Sequence, residues 1–305
     1  MSVTENPYEL PLRGLREDNP RDFLAALGLL RIFDLLWPDL DAKLFWAGNP
    51  CAPVLSTLHP PCGDWNRVLV EKVQQFADHP TKPMAHGDII KTSHSQYREA
   101  VENACHFKES EHPLAGLPLL LYACYSSQLG EDGGDVEPTG FSFANGQSGK
   151  KLLLDVVQLI HSIDAETLLQ TLEGEAIPVA AKSLRWNPSE FRPAAYRSHD
   201  PGSKLKGDET KDHPALNVLA FFGLTFFPTS PTRFGGKTSG MHDERPNRYF
   251  QWPIWATPLC VDEIATLICA SSTHLNTAYG IDRVWRSRRF SSDKSLYFAP
   301  AEIAR

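Results

Sequence analysis

One stretch of the sequence, Arg13 to Pro38, constrains the fold more than any other. Asn19 can cap the start of a helix, Pro20 suits the first helical position, and Asp22 lies where the helix dipole favours a carboxylate. Only two of the next fifteen residues, Phe23 to Trp37, are charged. A helix that is apolar around its whole circumference must be buried, because it has no polar face to turn toward water. The segment therefore predicts a central helix of the fold.

A glycine lies in the middle of this predicted helix. Gly28 lowers helix stability by about 1 kcal/mol relative to alanine. Its presence among strong helix formers predicts that another backbone passes close by, where a side chain would not fit.

Apolar periodicity and turn residues predict the other elements of the chain. Further helices are expected at Trp65–Ala77, Ser93–Phe107, Leu114–Ser127, Lys150–Ile160, Ala165–Leu172, Pro214–Phe222 and Val261–Ala270. Strands are expected at Lys43–Ala47, Val54–Leu58, Thr139–Ala144, Thr225–Phe227, Tyr249–Trp255, Val284–Phe290 and Leu296–Phe298, and loops at Gly130–Pro138 and Pro228–Pro246. Pro253 predicts an edge or a bulge in its strand, because proline donates no backbone hydrogen bond. Helices and strands without a regular alternation predict an α+β fold with mixed or antiparallel sheets and several packed helices, not a doubly wound one.

Charge is distributed unevenly along the chain. Residues 1–181 carry 13 lysines and arginines against 25 carboxylates, a balance of −12, and residues 182–305 carry 17 against 12, a balance of +5. Between about 174 and 213 the sequence loses its periodicity, which indicates a boundary or a functional insertion. We therefore expect an acidic N-terminal α+β domain at 1–174 and a basic C-terminal α+β region with long loops at 175–305, with one continuous domain as the alternative. Such an asymmetry is typical of a protein whose basic face meets phosphate, although ordinary surface variation also produces it.

The cysteines and the apolar runs exclude several classes of protein. None of the six cysteines forms a Cys-x-x-Cys pair, so free packed thiols are expected, and the irregular group of Cys51, His59 and Cys62 is a weaker metal-site alternative. No apolar run approaches the roughly 20 residues of a membrane span, and the N-terminus lacks the features of a signal peptide. We expect a soluble cytoplasmic protein with no cofactor, no bound metal and no membrane partner.

The segment Asn145–Gly149, followed by Lys150 and Lys151, could bind an anion. Glycines let backbone amides turn toward an anion, and the start of a helix adds partial positive charge. The spacing is not that of a nucleotide-binding P-loop, which requires Gly-x-x-x-x-Gly-Lys-Ser/Thr. A nucleic-acid phosphate contact is therefore one interpretation, and a plain turn with solvated lysines is the other.

Basic residues that alternate with aromatic ones are the stronger signal. They combine phosphate partners with planes on which bases can stack, and together they predict at least one phosphate-facing surface. In a strand, Arg286 and Arg288 would share one face and Arg289 the other. For each residue alone, the alternative is an aromatic side chain in the core with arginine on a solvated rim. With the two lysines above, the predicted nucleic-acid-binding residues are Lys150, Lys151, Arg185, Arg192, Arg197, Arg233, Lys237, Arg245, Arg248, Arg286, Arg288 and Arg289.

Signals for catalysis are weak. His86, Asp88 and His94 contain groups able to act as acid, base or metal ligand, but their spacing defines no site, and His242-Asp243-Glu244 is equally weak. The chain has no nucleophile elbow, His-Glu-x-x-His pair or Gly-x-Gly-x-x-Gly turn. We therefore expect no catalytic residues and a protein that is not an enzyme.

Several segments, in their order along the chain, resemble those of one known family. They are Gly14–Arg16, Asn19-Pro20, Phe23–Arg31, Phe141–Gly149, Leu184–Pro188, Asn217–Leu224, Phe250–Trp255 and Arg286–Arg289. Together they resemble the large-subunit-like proteins of CRISPR type I-G (formerly I-U) Cascade effector complexes.

The resemblance implies a non-catalytic subunit of an RNA-guided antiviral surveillance complex. Such a subunit helps to check a short motif flanking the target (PAM recognition) and stabilises the opened duplex, while base pairing with the guide reads the sequence. The implied partners are the backbone and guide-processing subunits of Cascade, the guide RNA, double-stranded target DNA and a recruited helicase-nuclease. The chain is shorter than long large subunits and lacks their terminal helical bundle, so a separate small subunit could be required. The alternatives are a purely structural bridging subunit and a metal-dependent nuclease that uses His86, Asp88 and His94.

Overall fold

The computed structural model describes residues 7–79, 94–125, 139–143, 152–181, 183–188, 211–232, 235–269, 280–292 and 295–304. The helices are α1 (Pro20–Leu36), α2 (Trp65–Ala77), α3 (His94–Lys108), α4 (Leu117–Tyr125), α5 (Leu152–Ser162), α6 (Ala165–Glu173), α7 (Pro214–Gly223) and α8 (Val261–Cys269). The strands are β1 (Tyr8–Pro11), β2 (Lys43–Ala47), β3 (Ala52–Thr57), β4 (Val179–Ala180), β5 (Lys211–Asp212), β6 (Thr229–Thr232), β7 (Gly235–Thr238), β8 (Met241–Glu244), β9 (Asn247–Trp255), β10 (Ile281–Ser292), β11 (Ser295–Phe298) and β12 (Glu302–Ile303). The sheets are antiparallel, which confirms the α+β class.

Helix α1 is the buried helix that the sequence predicts. The Asn19 side chain accepts a hydrogen bond from the Arg21 amide at 3.0 Å, and Pro20 occupies the first turn. Every residue from Pro20 to Phe33 is buried. The cap and the apolar circumference together place this helix in the interior.

The backbone that approaches Gly28 belongs to α7. A Cβ atom at Gly28 would lie 1.8 Å from the carbonyl oxygen of Leu219, and one at Gly223 would lie 2.0 Å from the carbonyl oxygen of Leu24. Real Cβ atoms do not approach other atoms so closely, so each glycine lets one helix touch the backbone of the other. The prediction from Gly28 is confirmed.

Two sheets flank α1. The first has the order β1-β3-β2, and the second has the order β11-β10-β9-β8, with β12 also paired to β10. We call this second assembly the C-terminal sheet. The Phe23 ring lies about 6 Å from the rings of Trp46 in β2 and of Trp252 and Trp255 in β9, so one side chain of α1 joins both sheets.

Strand β9 can contain Pro253 because of the way in which β9 pairs with its neighbours. Strand β8 pairs with β9 only as far as Phe250, so Pro253 lies where β9 has a partner on one side alone. The register between β9 and β10 also shifts between Ile281 and Arg283. The predicted edge or bulge is confirmed.

Three predicted elements are wrong. Residues 139–143 form a turn, because the carbonyls of Phe141 to Phe143 accept hydrogen bonds from side chains and not from a strand. Leu224–Phe226 is a 3-10 turn that continues α7, in which the Thr225 hydroxyl donates to the Phe222 carbonyl at 2.8 Å. The predicted loop Pro228–Pro246 contains β6, β7 and β8, held partly by a 2.9 Å hydrogen bond between the Thr229 and Thr238 hydroxyls.

The buried side chains form one cluster that extends from Leu12 to Phe298, so residues on both sides of position 174 contribute to it. The division into regions 1–174 and 175–305 stays a prediction. Within the described ranges, no helix has the length and apolarity needed to cross a membrane.

Candidate nucleic-acid interface

The C-terminal sheet has one buried face. Phe250, Trp252, Ser287 and Phe298 are fully buried on it, and the register pairs Phe250 with Ser287 and Arg289 with Phe298. Because side chains alternate along a strand, the residues between them point to the opposite face.

That opposite face, which we call the outer face, carries aromatic and basic side chains. The register places Tyr249 beside Arg288 and His242, Gln251 beside Arg286, and Phe290 beside Tyr297. Arg286 and Arg288 therefore share one face and Arg289 belongs to the other, as the alternation predicts. The members of the outer face that concern us are His242, Tyr249, Gln251, Arg286, Arg288, Phe290 and Tyr297.

Arg286 is held by protein groups. Its guanidinium carbon lies 4.8 Å from the centre of the Tyr249 ring, and its nitrogens lie 3.5 Å from a Glu244 oxygen and 2.9 Å from a Glu302 oxygen. These two carboxylates neutralise much of its charge, so Arg286 orients the Tyr249 ring more than it supplies a phosphate contact.

Arg288 is the contrasting case on the same strand. Its side chain is exposed and makes no hydrogen bond or ion pair with any residue that the structure describes. Lys237 in β7 and Arg245 in the turn between β8 and β9 are also exposed, and neither has a carboxylate partner in the described ranges. These three cations can accept an anion without breaking an existing pair.

The far end of the outer face is aromatic. The Phe290 and Tyr297 rings lie 5.8 Å apart with an interplanar angle of 32°, and the Arg185 guanidinium lies 5.5 Å from the centre of the Tyr297 ring. Arg185 adopts a left-handed backbone conformation with φ of 66°, and its Nη1 donates to the Phe143 carbonyl at 3.4 Å. A left-handed residue other than glycine costs of order 1 kcal/mol, so the surrounding structure holds this arginine in place against strain.

Arg289 and Arg248 form a second basic group that belongs to the buried face of the sheet. Arg289 Nη2 donates to the Ser142 carbonyl at 3.3 Å, and its Nε is buried without a hydrogen-bond partner among the described residues. Burial, and then the charge of Arg248, lower the pKa of Arg289 to about 10. Arg248 Nε lies 2.5 Å from an Asp243 oxygen, so this group holds one carboxylate for two guanidinium groups.

The described arginines thus do not converge in one cradle. Arg286 and Arg248 are paired with carboxylates, Arg288 is exposed on the outer face, and Arg289 lies on the other side of the sheet. Trp186, the aromatic residue next to Arg185 in the sequence, is 1% exposed, and its indole donates to the Phe141 carbonyl, so it belongs to the core and offers no stacking plane.

Several predicted residues lie outside the described ranges. They are Lys150, Lys151, Arg192, Arg197 and Arg233, together with His86, Asp88 and the side chain of His94 from the nuclease alternative. Within the ranges that are described, no three or more His, Cys, Asp or Glu side chains are grouped so that they could hold a metal ion. Cys51, Cys62, Cys105, Cys260 and Cys269 are free thiols.

Two aromatic rings of the outer face, Phe290 and Tyr297, were not predicted as stacking planes. The signal was available, because Phe290 follows Arg286 and Arg288 at the two-residue spacing of one strand face. Tyr297 needed the register with β10, which the sequence does not provide.

Comparison with protein-family models finds no match, and comparison with curated proteins finds no significant similarity. The resemblance to CRISPR type I-G large-subunit-like proteins therefore stays a prediction.

Proposed function

We propose that this chain is a non-catalytic, cytoplasmic subunit of an RNA-guided surveillance complex, and that its outer face holds single-stranded nucleic acid from the opened target duplex. The observation that carries the proposal is the outer face itself. It offers the rings of Tyr249, Phe290 and Tyr297 together with the guanidinium group of Arg288, which has no partner among the residues that the structure describes. Bases stack on such rings, and cations bind the phosphates between them.

The chemistry of the outer face favours an unpaired strand over an intact duplex. Aromatic rings on a sheet can stack only on bases that have left the base-paired stack, and every base has a face suited to this contact. A surface of this kind tolerates any sequence. This property suits a complex in which base pairing with the guide RNA identifies the target.

A second candidate function is a subunit that only bridges other proteins. The carboxylate pairs of Arg286, Arg248 and Arg283 favour it, because they show that arginines on this sheet are commonly neutralised by protein. In that case Arg288 would be covered by an acidic protein partner and not by phosphate.

Salt-dependent binding separates the two functions. Fluorescence anisotropy of a labelled single-stranded oligonucleotide would be measured with the full chain over a range of salt concentrations. We expect Arg288→Ala to weaken binding and to reduce the slope of log K against log salt by about 0.7, the value for one phosphate contact on a single strand.

Arg67→Ala is the matched control, because Arg67 is an exposed arginine on α2 that is paired with Asp64. It removes the same charge from another part of the molecule and should leave the slope unchanged. Equal slopes for Arg288→Ala and the unmodified chain would contradict the phosphate assignment. No salt-dependent binding by the unmodified chain would favour the bridging function.

A further inference from the structure

A cavity of about 260 Å³ opens beside the outer face, between the β6–β7 hairpin, the ends of β8 and β9, and the end of α8. We call it the α8 cavity. Its walls include the partly exposed apolar side chains of Ile268, Ile281 and Val284, and its polar groups include Lys237, His242 and Gln251. Apolar walls with a few convergent polar groups are typical of a site for a small organic ligand.

The position of this cavity connects it to the outer face. His242 is paired across the strands with Tyr249, and Gln251 is paired with Arg286. The same two polar residues therefore line the α8 cavity and lie beside the ring and the cation of the outer face. A strand lying on Tyr249 would have its neighbouring nucleotide next to the cavity.

The polar groups match a heteroaromatic ring that carries a phosphate. Lys237 is exposed and has no carboxylate partner within the described residues, so it can bind an anion. The Gln251 amide both donates and accepts hydrogen bonds, as does a neutral imidazole. Burial, and then the charge of Lys237, lower the pKa of His242, so this imidazole is neutral at pH 7.

The size of the cavity limits the ligand. Sites for drug-sized molecules range from roughly 300 to 1,000 Å³, so the α8 cavity is suited to a smaller ligand such as a single base. Enzymes and binding proteins that take a base out of its stack hold it between apolar side chains and contact its edge with hydrogen bonds.

We propose that the α8 cavity receives one unstacked nucleobase, whose phosphate is bound by Lys237. This inference rests on the proposed function, because it supplies a site for one nucleotide of the strand on the outer face. A free nucleotide has the same chemistry, so the experiment must separate the two sources.

Cys269 gives a direct measure of occupancy. It lines the cavity and is exposed, whereas the exposed Cys62 and Cys105 do not line it. The full chain would be treated with iodoacetamide, and the alkylation rate of each cysteine would be followed by peptide mass spectrometry. The probes are the four nucleoside 5′-monophosphates and, separately, a single-stranded oligonucleotide with and without an abasic position.

We expect at least one monophosphate to slow alkylation of Cys269 about tenfold at saturation, while Cys62 and Cys105 react unchanged. Lys237→Ala should raise the nucleotide concentration needed for protection about tenfold, which corresponds to about 1.4 kcal/mol. Protection by the oligonucleotide but not by monophosphates would assign the site to a bound strand, and an abasic position at the protected nucleotide should then abolish the protection.

The inference is overturned if neither the monophosphates nor the oligonucleotide protect Cys269, or if all three cysteines are protected equally. Its failure is distinguishable from that of the proposed function. If oligonucleotide binding depends on Arg288 but does not protect Cys269, the outer face remains the proposed binding surface and the α8 cavity is rejected as a base site. If a monophosphate protects Cys269 but the chain binds no oligonucleotide, the cavity remains a nucleotide site and the proposed binding of single-stranded nucleic acid is rejected.

Discussion

Two regions of the molecule use their side chains in opposite ways. One is the contact between α1 and α7, and the other is the outer face of the C-terminal sheet. Between the helices the backbones touch at Gly28 and Gly223, and every residue of α7 is buried. On the outer face the side chains are only partly buried, and Arg288 has no partner in the described chain. The helix contact is complete within the protein, whereas the outer face has capacity left for a ligand.

Two arginines show the same difference in how their charge is neutralised. Arg21 is 4% exposed and lies between the carboxylates of Asp22 and Asp212. Arg288 is exposed and has no carboxylate beside it among the described residues. A buried charge must be neutralised within the fold, while an exposed one can bind an anion from outside. The comparison predicts that substitutions in the first region change stability and substitutions in the second change binding.

The largest effect is expected at Gly28. Gly28→Leu would place a side chain where a Cβ atom alone lies 1.8 Å from the Leu219 carbonyl oxygen. Because that oxygen belongs to the backbone of another buried helix, it cannot move aside as a side chain could. We expect a cost well above the usual 1–3 kcal/mol of an overpacked core, and no cooperative unfolding transition by circular dichroism.

Gly116→Ala is the control for this substitution, because a Cβ at Gly116 would have no atom within 4 Å other than those of Gly116 and its two chain neighbours. It should leave the melting temperature nearly unchanged. A folded Gly28→Leu chain with an unchanged melting temperature would contradict the backbone contact between α1 and α7.

The next effect is expected at Asp212. Asp212 is 1% exposed, pairs with Arg21, and accepts a hydrogen bond from Asn217 Nδ2 at 3.1 Å. Asp212→Ala leaves the Arg21 charge with Asp22 alone, so we expect a loss of about 3–5 kcal/mol in the free energy of unfolding.

Chemical denaturation would measure this loss. Asp64→Ala removes the carboxylate of the exposed pair with Arg67 and should cost much less than Asp212→Ala, because water and salt screen an exposed ion pair. Similar losses for the two variants would mean that the buried pair of Arg21 and Asp212 does not stabilise the start of α1 more than an exposed pair would.

A smaller effect, on binding alone, is expected at Tyr249. Removing one stacking ring costs about 1–3 kcal/mol per base, so Tyr249→Ala should weaken binding of a single-stranded oligonucleotide about tenfold. Tyr249→Phe keeps the ring and should bind like the unmodified chain. Tyr8→Ala, at an exposed tyrosine of β1, is the control for a general effect of losing a ring. If Tyr249→Ala and Tyr8→Ala bind equally well, the outer face is not a stacking surface.

The two regions also differ in how well the sequence predicts them. The bounds of α1 and the close backbone at Gly28 follow from local signals, namely a cap, a proline and an apolar run. The hairpin of β6 and β7 was predicted as a loop, because its Gly, Ser and Thr residues show no apolar alternation. It is held by contacts such as the Thr229–Thr238 hydrogen bond, which only the tertiary structure supplies.

The candidate site was predictable in residue type but not in arrangement. The two-residue spacing correctly divided Arg286 and Arg288 from Arg289. The sequence could not show that Glu244 of β8 and Glu302 of β12 neutralise Arg286, whereas no carboxylate in the described part of the chain pairs with Arg288. Which cations can bind a ligand is decided by strand register, and register depends on contacts between distant segments.

The smallest effect is expected in the pH dependence of stability, and it arises at the buried charges near α1. His213 lies beside Asp212, and burial, followed by the charge of Arg21, lowers its pKa in the folded state. The unfolded chain, with an ordinary histidine pKa of about 6.5, therefore binds a proton more readily than the folded chain as the pH falls below about 7. The free energy of unfolding therefore decreases as the pH falls from about 6.5 toward the lower pKa of the folded state. The slope of this decrease is at most about 1.4 kcal/mol per pH unit. His213→Gln should make the free energy of unfolding less dependent on pH between about 7 and 5, although His112 and His242, whose pKa values are also lowered, keep part of the slope. Denaturant titrations at several pH values would measure the two slopes, and a slope unchanged by His213→Gln would mean that this imidazole does not titrate differently in the folded and unfolded states.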